Sequence, residues 1–364
     1  MKHFALTASA LALTATAATA GGVDRSGQSI AAIFEQGTYA EISFGHVAPS
    51  VSGVNGPFAT GDMSEDYSQL GFAFKHDFND KLSVALIYDQ PFGADVNYKT
   101  GTGYFLAPST ATLETHALTA LLRYKTSDRF SIHGGVVYET LKTNAALTVF
   151  SPPATFIPYT GNTPSDGAWG YVVGMAYEIP DIAMRVALTY RSEIKHEMTS
   201  TETIFGGAPV NSAASITSPK SVNLDFQTGI AADTLLFGGI RWVDWSSYVI
   251  APRVYTGAFG APLLSYTNDV YTYSLGVGRK FSDTVSGSVS VSYEDGKPGA
   301  VGNLGPTNGK FGLTVGGKFA LSDNVDLSAG VNYTWLGDAH TTTYNTQFRD
   351  NDAVGFGMKL GIRF

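Results

Sequence analysis

The end of the chain alternates strictly between apolar residues and small or cationic residues. Every second position from Val354 to Phe364 is apolar, and the positions between them hold Gly355, Gly357, Lys359, Gly361 and Arg363. A period of two places the apolar set on one face of a β-strand and the other set on the opposite face. The pattern predicts a strand that faces lipid on one side and a polar interior on the other. The alternative is the last strand of a soluble β-sandwich.

The same alternation occurs in earlier segments, at residues 182–191, 284–294 and 324–335. In each of them an aliphatic or aromatic face lies opposite a face of small, hydroxyl, amide or charged residues. A small soluble barrel fills its interior with apolar side chains, so a polar face of this kind is better suited to a hollow lumen. These segments predict a barrel whose outside is apolar.

Short turns and long connections follow one another regularly along the chain. The short polar turns lie at 76–80, 126–128, 179–181, 232–233, 282–283 and 322–324. The long connections lie near 47–67, 91–112, 143–167, 194–218, 246–267, 295–308 and 336–351. This asymmetry is typical of outer-membrane barrels, whose long loops face the outside of the cell. The predicted fold class is therefore all-β, a transmembrane antiparallel β-barrel of about 14 strands with both termini on the periplasmic side.

The start of the chain has the features of a secretory signal peptide. Met1-Lys2 is cationic, residues 4–13 are mostly apolar, and Ala18-Thr19-Ala20 matches a small-x-small cleavage site. We predict a signal peptide over residues 1–20, and no later apolar run is long enough for a transmembrane helix. An exported membrane protein without such a helix must close its strands into a barrel, because only closure pairs every strand edge in lipid. The predicted barrel covers residues 39–364.

The amino-acid composition argues against several classes of function. Charged residues make up 15% of the chain and aromatic residues 12%, and the net charge of -8 argues against a nucleic-acid partner. There is no Cys, so disulfides and thiolate chemistry are excluded. The seven His residues are scattered and show neither a catalytic arrangement nor convincing ligand spacing. We expect no enzyme activity, no metal and no cofactor.

Residues 21–38 precede the first clear strand and are treated as a separate unit. Their sequence is polar at first and then apolar, with Ile30, Ile33 and Phe34 at helical spacing. On the periplasmic side of a barrel, such a segment could fold into the lumen as a plug. A flexible extension or a periplasmic cap is the alternative.

Several stretches of the chain resemble the FadL-type family of outer-membrane transporters for long-chain fatty acids and hydrocarbons, which includes TodX. They are SGQSIAAIFEQGTYAE at 26–41, SFGHVAPSVSG at 43–53, IYDQPFGADVNY at 87–98 and FQTGIAADTLLFGGIRWVDWSS at 226–247. With the inferred strand count, the resemblance covers essentially the whole mature chain. It rests on pattern rather than on a short catalytic signature.

The resemblance implies a barrel closed by an N-terminal hatch, with ligand released sideways into the bilayer through a gap beside a kink in strand three. The hatch would use the following residues of the 21–38 unit: Asp24, Arg25, Ser26, Gln28, Ile30, Ile33 and Phe34. The kink would fall at Asp89, Gln90 and Pro91. Pro91 has no N–H and cannot complete a ladder, which independently favours a break there. Pro91 could also simply end the strand.

The predicted function is passive outer-membrane transport of hydrophobic small molecules, most of all long-chain fatty acids. Candidate ligand-binding residues in the outer loops are Phe150, Phe156, Ile157, Phe205, Tyr255 and Phe259, because exposed apolar clusters usually mark a binding surface. These loops could equally pack against one another over the barrel mouth. Candidate lumen cations for an acidic head group are Arg123, Arg185 and Arg241, although such cations can also pair with lumen carboxylates.

Expected partners besides the ligand are outer-membrane lipid, lipopolysaccharide and the barrel assembly machinery, with the protein a monomer in the bacterial outer membrane. Two other functions remain open at this point. One is a general diffusion porin for hydrophilic solutes. The other is a structural or adhesive barrel.

Overall fold

The chain folds into one closed antiparallel barrel of 14 strands, which confirms the predicted fold class. The computed structural model describes residues 23–151 and 155–364, so the predicted signal peptide lies outside the described residues. The first six strands are β1 Tyr39–Ser50, β2 Tyr67–Asp77, β3 in two halves (β3a Leu82–Asp89 and β3b Gly93–Tyr98), β4 Ser109–Lys125, β5 Phe130–Ser151 and β6 Thr155–Ile179. Next come β7 (β7a Met184–Arg191 and β7b Ile194–Ile204), β8 (β8a Val210–Ser218 and β8b Ser221–Ala231), β9 Thr234–Val243 and β10 Val270–Lys280. The last are β11 Val285–Glu294, β12 Lys310–Ala320, β13 Val325–Leu336 and β14 Asn351–Arg363. Strand β1 pairs with both β2 and β14, which closes the sheet.

The barrel is apolar outside and mostly small or polar inside. On β14, Phe356 and Met358 are exposed on the outer surface, whereas Gly355 and Gly357 are buried against the lumen. Strands β11 and β13 follow the same alternation. The period-two pattern in the sequence therefore predicts the orientation of these strands correctly.

Two of the predicted long connections are strands instead. Strands β5 and β6 remain paired as far as Ser151 and Thr155, so most of 143–167 belongs to one long hairpin. Strands β7b and β8a likewise pair through most of 194–218. These stretches are rich in Thr, Ser and β-branched residues, which favour extended pairing even where the hairpin projects beyond the membrane. Their polarity and prolines suggested loops, and that interpretation is wrong.

Small elements cover the outer end of the barrel. The helix α1, Arg253–Phe259, lies in the connection between β9 and β10. Two small sheets lie in the loops, one formed by Val249–Ile250 and Leu264–Ser265 and the other by Gly53–Asn55, Phe58–Ala59, Ala339–His340 and Gln347–Phe348. Single turns of 3-10 helix occur at Ala31–Phe34, Pro180–Ile182 and Trp245–Ser247. Within the described ranges, no helix is both long enough and apolar enough to cross a membrane.

Residues 23–38, hereafter the N-terminal segment, lie inside the barrel. The buried Ile30 and Ile33 belong to an apolar cluster with inward residues of β2 through β7b, among them Leu121, Val172 and Ile194. Burying an Ile side chain contributes roughly 1.5–3 kcal/mol. The apolar end of the segment is therefore held against one side of the lumen, and a cavity extends along β9 to β12 on the other side.

Candidate functional site

Arg241 of β9 is the main polar anchor of the N-terminal segment. Its Nε lies 2.6 Å from Asp24 Oδ2 and its Nη2 lies 3.1 Å from Gln28 Oε1. Nη1 donates to Asn223 Oδ1 of β8b at 2.8 Å, which fixes the plane of the guanidinium. An ion pair held by further hydrogen bonds in a partly buried place is stronger than an exposed pair. This arrangement ties the start of the segment to the wall at β8 and β9.

The opposite wall holds the segment through two carboxylates of strand three. Arg25 Nη2 lies 2.7 Å from Asp95 of β3b, and its guanidinium stacks 3.9 Å from the ring centre of Tyr67. Ser26 Oγ donates to Asp89 Oδ2 of β3a at 2.5 Å. Since these contacts lie on both halves of β3, the segment spans the lumen from β3 to β9.

The apolar end of the segment contacts two arginines. The ring of Phe34 lies 4.7 Å from the Arg123 guanidinium carbon and 4.5 Å from that of Arg185. Arg123 is also ion-paired with Glu178. The guanidinium of Arg185 donates to Gln227 Oε1 at 3.1 Å and has no carboxylate oxygen within 4 Å among the described residues. Of the three predicted lumen cations, Arg185 is the one without an ion pair in this part of the chain.

The barrel wall opens between β2 and β3. Strand β2 pairs with β3a only from Phe72 to Asp77, although β2 begins at Tyr67. Residues 90–92 interrupt strand three, and β3b pairs with β4 alone in this sheet. We call the space between residues 67–71 and β3b the wall gap. The predicted kink residues Asp89, Gln90 and Pro91 lie at its lower edge.

Side chains and the N-terminal segment satisfy the backbone at the wall gap. The side chain of Gln90 accepts a hydrogen bond from Leu70 N at 2.9 Å, and Gln69 Nε2 donates to the Gln90 carbonyl at 2.9 Å. The Pro91 carbonyl accepts from Arg25 N at 2.7 Å. Two glutamines therefore replace a backbone ladder, and side-chain contacts of this kind can be broken without unpairing two strands.

Two cavities flank the N-terminal segment. One, of about 150 Å³, is lined by lumen residues such as Ser26 and Asp89 and also by the lipid-facing Leu70 and Phe72, so it reaches the outer surface beside the wall gap. The other, of about 280 Å³, extends along the small inward residues of β9 to β12. Its upper end is at Trp245. Among the described wall residues, Arg185 is the one that lines both cavities.

Above the lumen, the outer loops pack into aromatic clusters. The ring of Phe105 lies 5.4 Å from that of Phe150 and 4.7 Å from that of Tyr344. Nearby, Tyr104 contacts Thr346 Oγ1 through its hydroxyl at 2.7 Å, and burial raises the pKa of Tyr104 to about 12. The loops therefore cover the barrel mouth with packed rings.

The six predicted outer-loop residues do not form one surface. Phe150 and Phe156 stack on each other at 5.3 Å at the end of the β5–β6 hairpin, and Ile157 is buried beside them. Tyr255 and Phe259 stack within α1 at 4.7 Å. Phe205 stands alone at a hairpin tip, 66% exposed and with a positive φ of 55°. Of these residues, Phe156 and Phe205 are the exposed ones.

Glu202 of β7b was not singled out from the sequence. It is fully buried, and its carboxylate accepts hydrogen bonds from Val254 N at 3.2 Å and Tyr255 N at 2.9 Å, both in the first turn of α1. The hydroxyl of Tyr159 also donates to it at 3.0 Å. A carboxylate at a helix N-terminus satisfies free N–H groups and complements the helix dipole. Glu202 therefore positions α1 over the mouth.

Replacing Glu202 with Gln should loosen α1 without unfolding the barrel. The amide removes the negative charge and halves the acceptor capacity, at a cost of about 1–3 kcal/mol for the backbone donors left short of a partner. Amide hydrogen exchange in residues 253–259 should become roughly tenfold faster or more. The matched control is Glu197→Gln on the same strand, where the carboxylate is exposed and pairs only with Lys195. Equal exchange rates in both variants would contradict this role for Glu202.

No group of three or more metal-binding side chains capable of holding a metal ion occurs in residues 23–151 and 155–364. The inner residues most involved in contacts with the segment include Asn223, Asp95 and Arg191. Of these, the sequence indicated only Arg191, as a lumen cation, and did not identify Asn223 or Asp95. Arg191 is buried and donates to the Gln28 carbonyl at 3.3 Å. No local pattern marks these residues, because their partners lie far away in the chain.

Comparison with known proteins gives a family for this chain. A family model described as outer membrane protein transport protein (OMPP1/FadL/TodX) matches residues 22–364. The chain belongs to this family. FadL/TodX proteins are outer-membrane channels and transporters for hydrophobic compounds and not enzymes, which confirms the resemblance and the expected lack of enzyme activity.

Solved structures of the FadL/TodX type have the same fold. A FadL homologue of Pseudomonas aeruginosa is 14% identical with a TM-score of 0.77 over 92% of each chain. The toluene transporter TbuX of Ralstonia pickettii is 12% identical with a TM-score of 0.66, over 96% of this chain and 97% of its own. The toluene transporter TodX of Pseudomonas putida is 11% identical with a TM-score of 0.66, over 100% and 99%. No curated protein matches by sequence.

Proposed function

We propose that this FadL/TodX protein carries hydrophobic small molecules, above all long-chain fatty acids, by passive diffusion across the outer membrane. The ligand passes the outer loops, enters the lumen beside the N-terminal segment and leaves through the wall gap into the bilayer. The observation that carries the proposal is the 150 Å³ cavity, which extends from Ser26 in the segment to the lipid-facing Leu70 and Phe72. An apolar tail on this route is transferred to lipid without crossing periplasmic water, and each methylene kept out of water contributes about 0.8 kcal/mol.

In this proposal the N-terminal segment acts as the hatch. It contacts β3 and β9 at once, so a shift of the segment changes the contacts of Pro91 and Asp89 at the wall gap. A porin for hydrophilic solutes needs a continuous aqueous pore, whereas the lumen here contains the segment and the mouth is covered by packed rings. The contacts therefore favour hydrophobic transport over the porin alternative.

Arg185 favours a fatty acid over a neutral hydrocarbon as the ligand. Its guanidinium lines both cavities and has donor capacity left for a carboxylate, because its direct contacts are a neutral amide and the Phe34 ring. The carboxylates that attract it, Glu178, Glu35 and Asp225, lie beyond ion-pair distance. A guanidinium binds a carboxylate through two parallel hydrogen bonds. Arg185 therefore serves as a head-group site at the junction of the two cavities.

A disulfide across the wall gap should block release. The variant carries Gln69→Cys and Gln90→Cys, because the Gln69 side chain donates to the Gln90 carbonyl across this gap, and the chain has no other Cys. Oxidation should lower uptake of a labelled long-chain fatty acid by roughly tenfold, and reduction should restore it, because the covalent link removes the open state. The measurement is uptake by cells that express the variant before and after dithiothreitol. Full uptake by the oxidised protein would exclude exit through the wall gap.

A further inference from the structure

A further cavity lies above the lumen, beneath the outer loops. This upper cavity has a volume of about 60 Å³, and no charged residue of the described chain lines it. Its apolar lining comes from β3b, β4, β8a and the connection between β9 and β10: Val96, Leu113, Ile216, Ile250, Leu263 and Leu264. We call the space of about 280 Å³ along β9 to β12 the lumen cavity. Among residues 23–151 and 155–364, none lines both the upper cavity and the lumen cavity.

Packed aromatic rings lie between these two cavities. The ring system of Trp245 lies 5.6 Å from the ring of Phe92 and 5.3 Å from those of Tyr248 and Tyr266. Both Phe92 and Trp245 are buried. On the lower side, Trp245 lines the end of the lumen cavity. On the upper side, the rings pack in one apolar cluster with residues of the upper cavity such as Leu113. The rings therefore form the partition between the two cavities.

Positions along the strands place the rings below the upper cavity. Trp245 follows closely after Val243, which is nine residues from the periplasmic end of β9 at Thr234. At about 3.3 Å per residue and a tilt near 45°, Val243 is about 21 Å above the turn, near the top of an apolar band about 25 Å tall. On the same scale Leu113 and Thr163, which line the upper cavity, lie about 28 Å and about 37 Å above their turns. The rings thus close the outer end of the lumen.

Phe92 joins the rings to the wall gap. It lies in the interruption of strand three, where its N–H donates to Thr115 Oγ1 at 2.8 Å and its carbonyl accepts from the same hydroxyl at 2.8 Å. The N-terminal segment supports it from within, since Gly93 N donates to the Val23 carbonyl at 2.9 Å and Asp24 forms an isolated bridge with Phe92. A shift of the segment therefore changes what holds this ring in place.

The closed arrangement of the rings leaves polar atoms unsatisfied. The indole Nε1 of Trp245 and the hydroxyl of Tyr248 are buried, and neither has a hydrogen-bond partner among the described residues. Such groups are rare in native proteins, because a buried donor without an acceptor costs free energy. Trp245 also lies in a single turn, Trp245–Ser247, and not in a strand of the wall. Its ring can therefore move without breaking the ladder of the barrel.

We propose that Phe92 and Trp245 form a gate between the upper cavity and the lumen, which opens when an apolar ligand separates the two rings. The proposal rests on the proposed function and names the step that controls entry into the lumen. The ligand portion that opens the gate is an uncharged chain or ring, because the upper cavity offers it no ionic partner. Since Phe92 also belongs to the interruption of strand three, opening the gate loosens the edge of the wall gap. Entry from above is thereby coupled to release.

The first test widens the gate. Trp245→Ala removes the larger ring, so uptake by cells of a fatty acid with a terminal pyrene should rise roughly tenfold relative to uptake of the linear acid. Trp245→Phe keeps a ring and should give a smaller rise. The matched control is Phe348→Ala, because Phe348 is fully buried in the outer loops and lines neither cavity. The proposal is overturned if Trp245→Ala and Phe348→Ala give the same ratio of pyrene acid to linear acid.

The second test reads ligand contact at the wild-type gate. The chain has four tryptophans, and replacing Trp169, Trp242 and Trp335 with Phe leaves Trp245 as the only one. A brominated fatty acid added to this protein in detergent should quench most of the Trp245 emission, because bromine quenches an indole that it approaches closely. Excess unbrominated acid should restore the emission. Emission that the brominated acid leaves unchanged, or quenching that the unbrominated acid does not reverse, would overturn the gate.

The two tests separate the gate from the proposed function. If wild-type cells take up no hydrophobic ligand while Trp245 is reversibly quenched, the proposed function fails and the ligand contact at the gate stands. If the wild type transports normally and Trp245 is not quenched, the gate alone is rejected. If Trp245→Ala does not fold, the quenching result decides, because it uses the native ring.

Discussion

Deletion of residues 24–36 should turn a nearly silent barrel into one that conducts ions continuously. Without these residues the lumen loses the side chains that fill it between β3 and β9, and water replaces them along the small residues of β9 to β12. Conductance in planar bilayers should rise by roughly tenfold or more, since an unplugged polar lumen of this width admits hydrated ions. Uptake of a labelled fatty acid should change in the same protein. If the deletion variant shows unaltered conductance and unaltered uptake, the N-terminal segment has no part in the mechanism.

A point variant separates loss of the hatch from loss of the fold. Arg241→Met removes the cation that binds Asp24 and Gln28, and a partly buried carboxylate left without its partner costs about 3–5 kcal/mol. The segment should detach part of the time, seen as frequent brief openings in single-channel records. The control is Arg279→Met, because Arg279 is exposed and contacts only Thr234 near the periplasmic turn. Opening frequencies that are the same in both variants would show that Arg241 does not hold the segment.

Arg185→Gln should reduce transport of fatty acids far more than transport of a neutral alkane of equal length. A hydrogen bond between charged groups contributes about 1.5–3 kcal/mol, which corresponds to roughly tenfold to a hundredfold in affinity for the acid. The alkane has no head group and loses nothing at this position. The measurement is competition between a labelled fatty acid and the labelled alkane in the same cells. The Arg185→Lys variant keeps the charge and should recover part of the acid transport.

The outcome for both ligands also tests a purely structural role of Arg185. If its contact with Phe34 mattered only for holding the segment, the Gln variant would alter acid and alkane transport equally. An equal loss would therefore assign Arg185 to the hatch rather than to the head group. If the Gln variant keeps full transport and an unchanged acid-to-alkane ratio, Arg185 neither holds the hatch nor binds the head group.

The sequence predicts those features of the fold that depend on local patterns. Alternation along β14 and β13 correctly indicates which side faces lipid, because a strand has a period of two whatever its neighbours are. The sequence wrongly predicts loops over 143–167 and 194–218, which are long hairpins. Polar residues and prolines do not reveal whether a segment that projects from the membrane still pairs with its neighbour. Strand count and closure were predictable because each short turn must join two neighbours.

The site was less accessible to sequence reasoning. Arg241 and Asp24 are 217 positions apart, and no local pattern connects them. Glu202 looks like any other acidic residue on a polar strand until α1 is placed above it. The resemblance to the family pointed to Pro91 and Gln90, but the hydrogen bonds that Gln90 accepts from Gln69 and from Leu70 N depend on where β2 loses its neighbour. Contacts between distant parts of a barrel are set by closure, which one sequence does not display.

The ion pair between Glu35 and Arg363 links the end of the N-terminal segment to the last strand, at 2.8 Å. Arg363 stands opposite Tyr39, the first residue of β1, so this contact forms only where the first and last strands meet. We therefore expect this end of the segment to reach its final position only when the two ends of the sheet join. A newly inserted molecule would then pass from an unclosed sheet to a closed and plugged barrel, which would spare the cell a leaking intermediate during biogenesis.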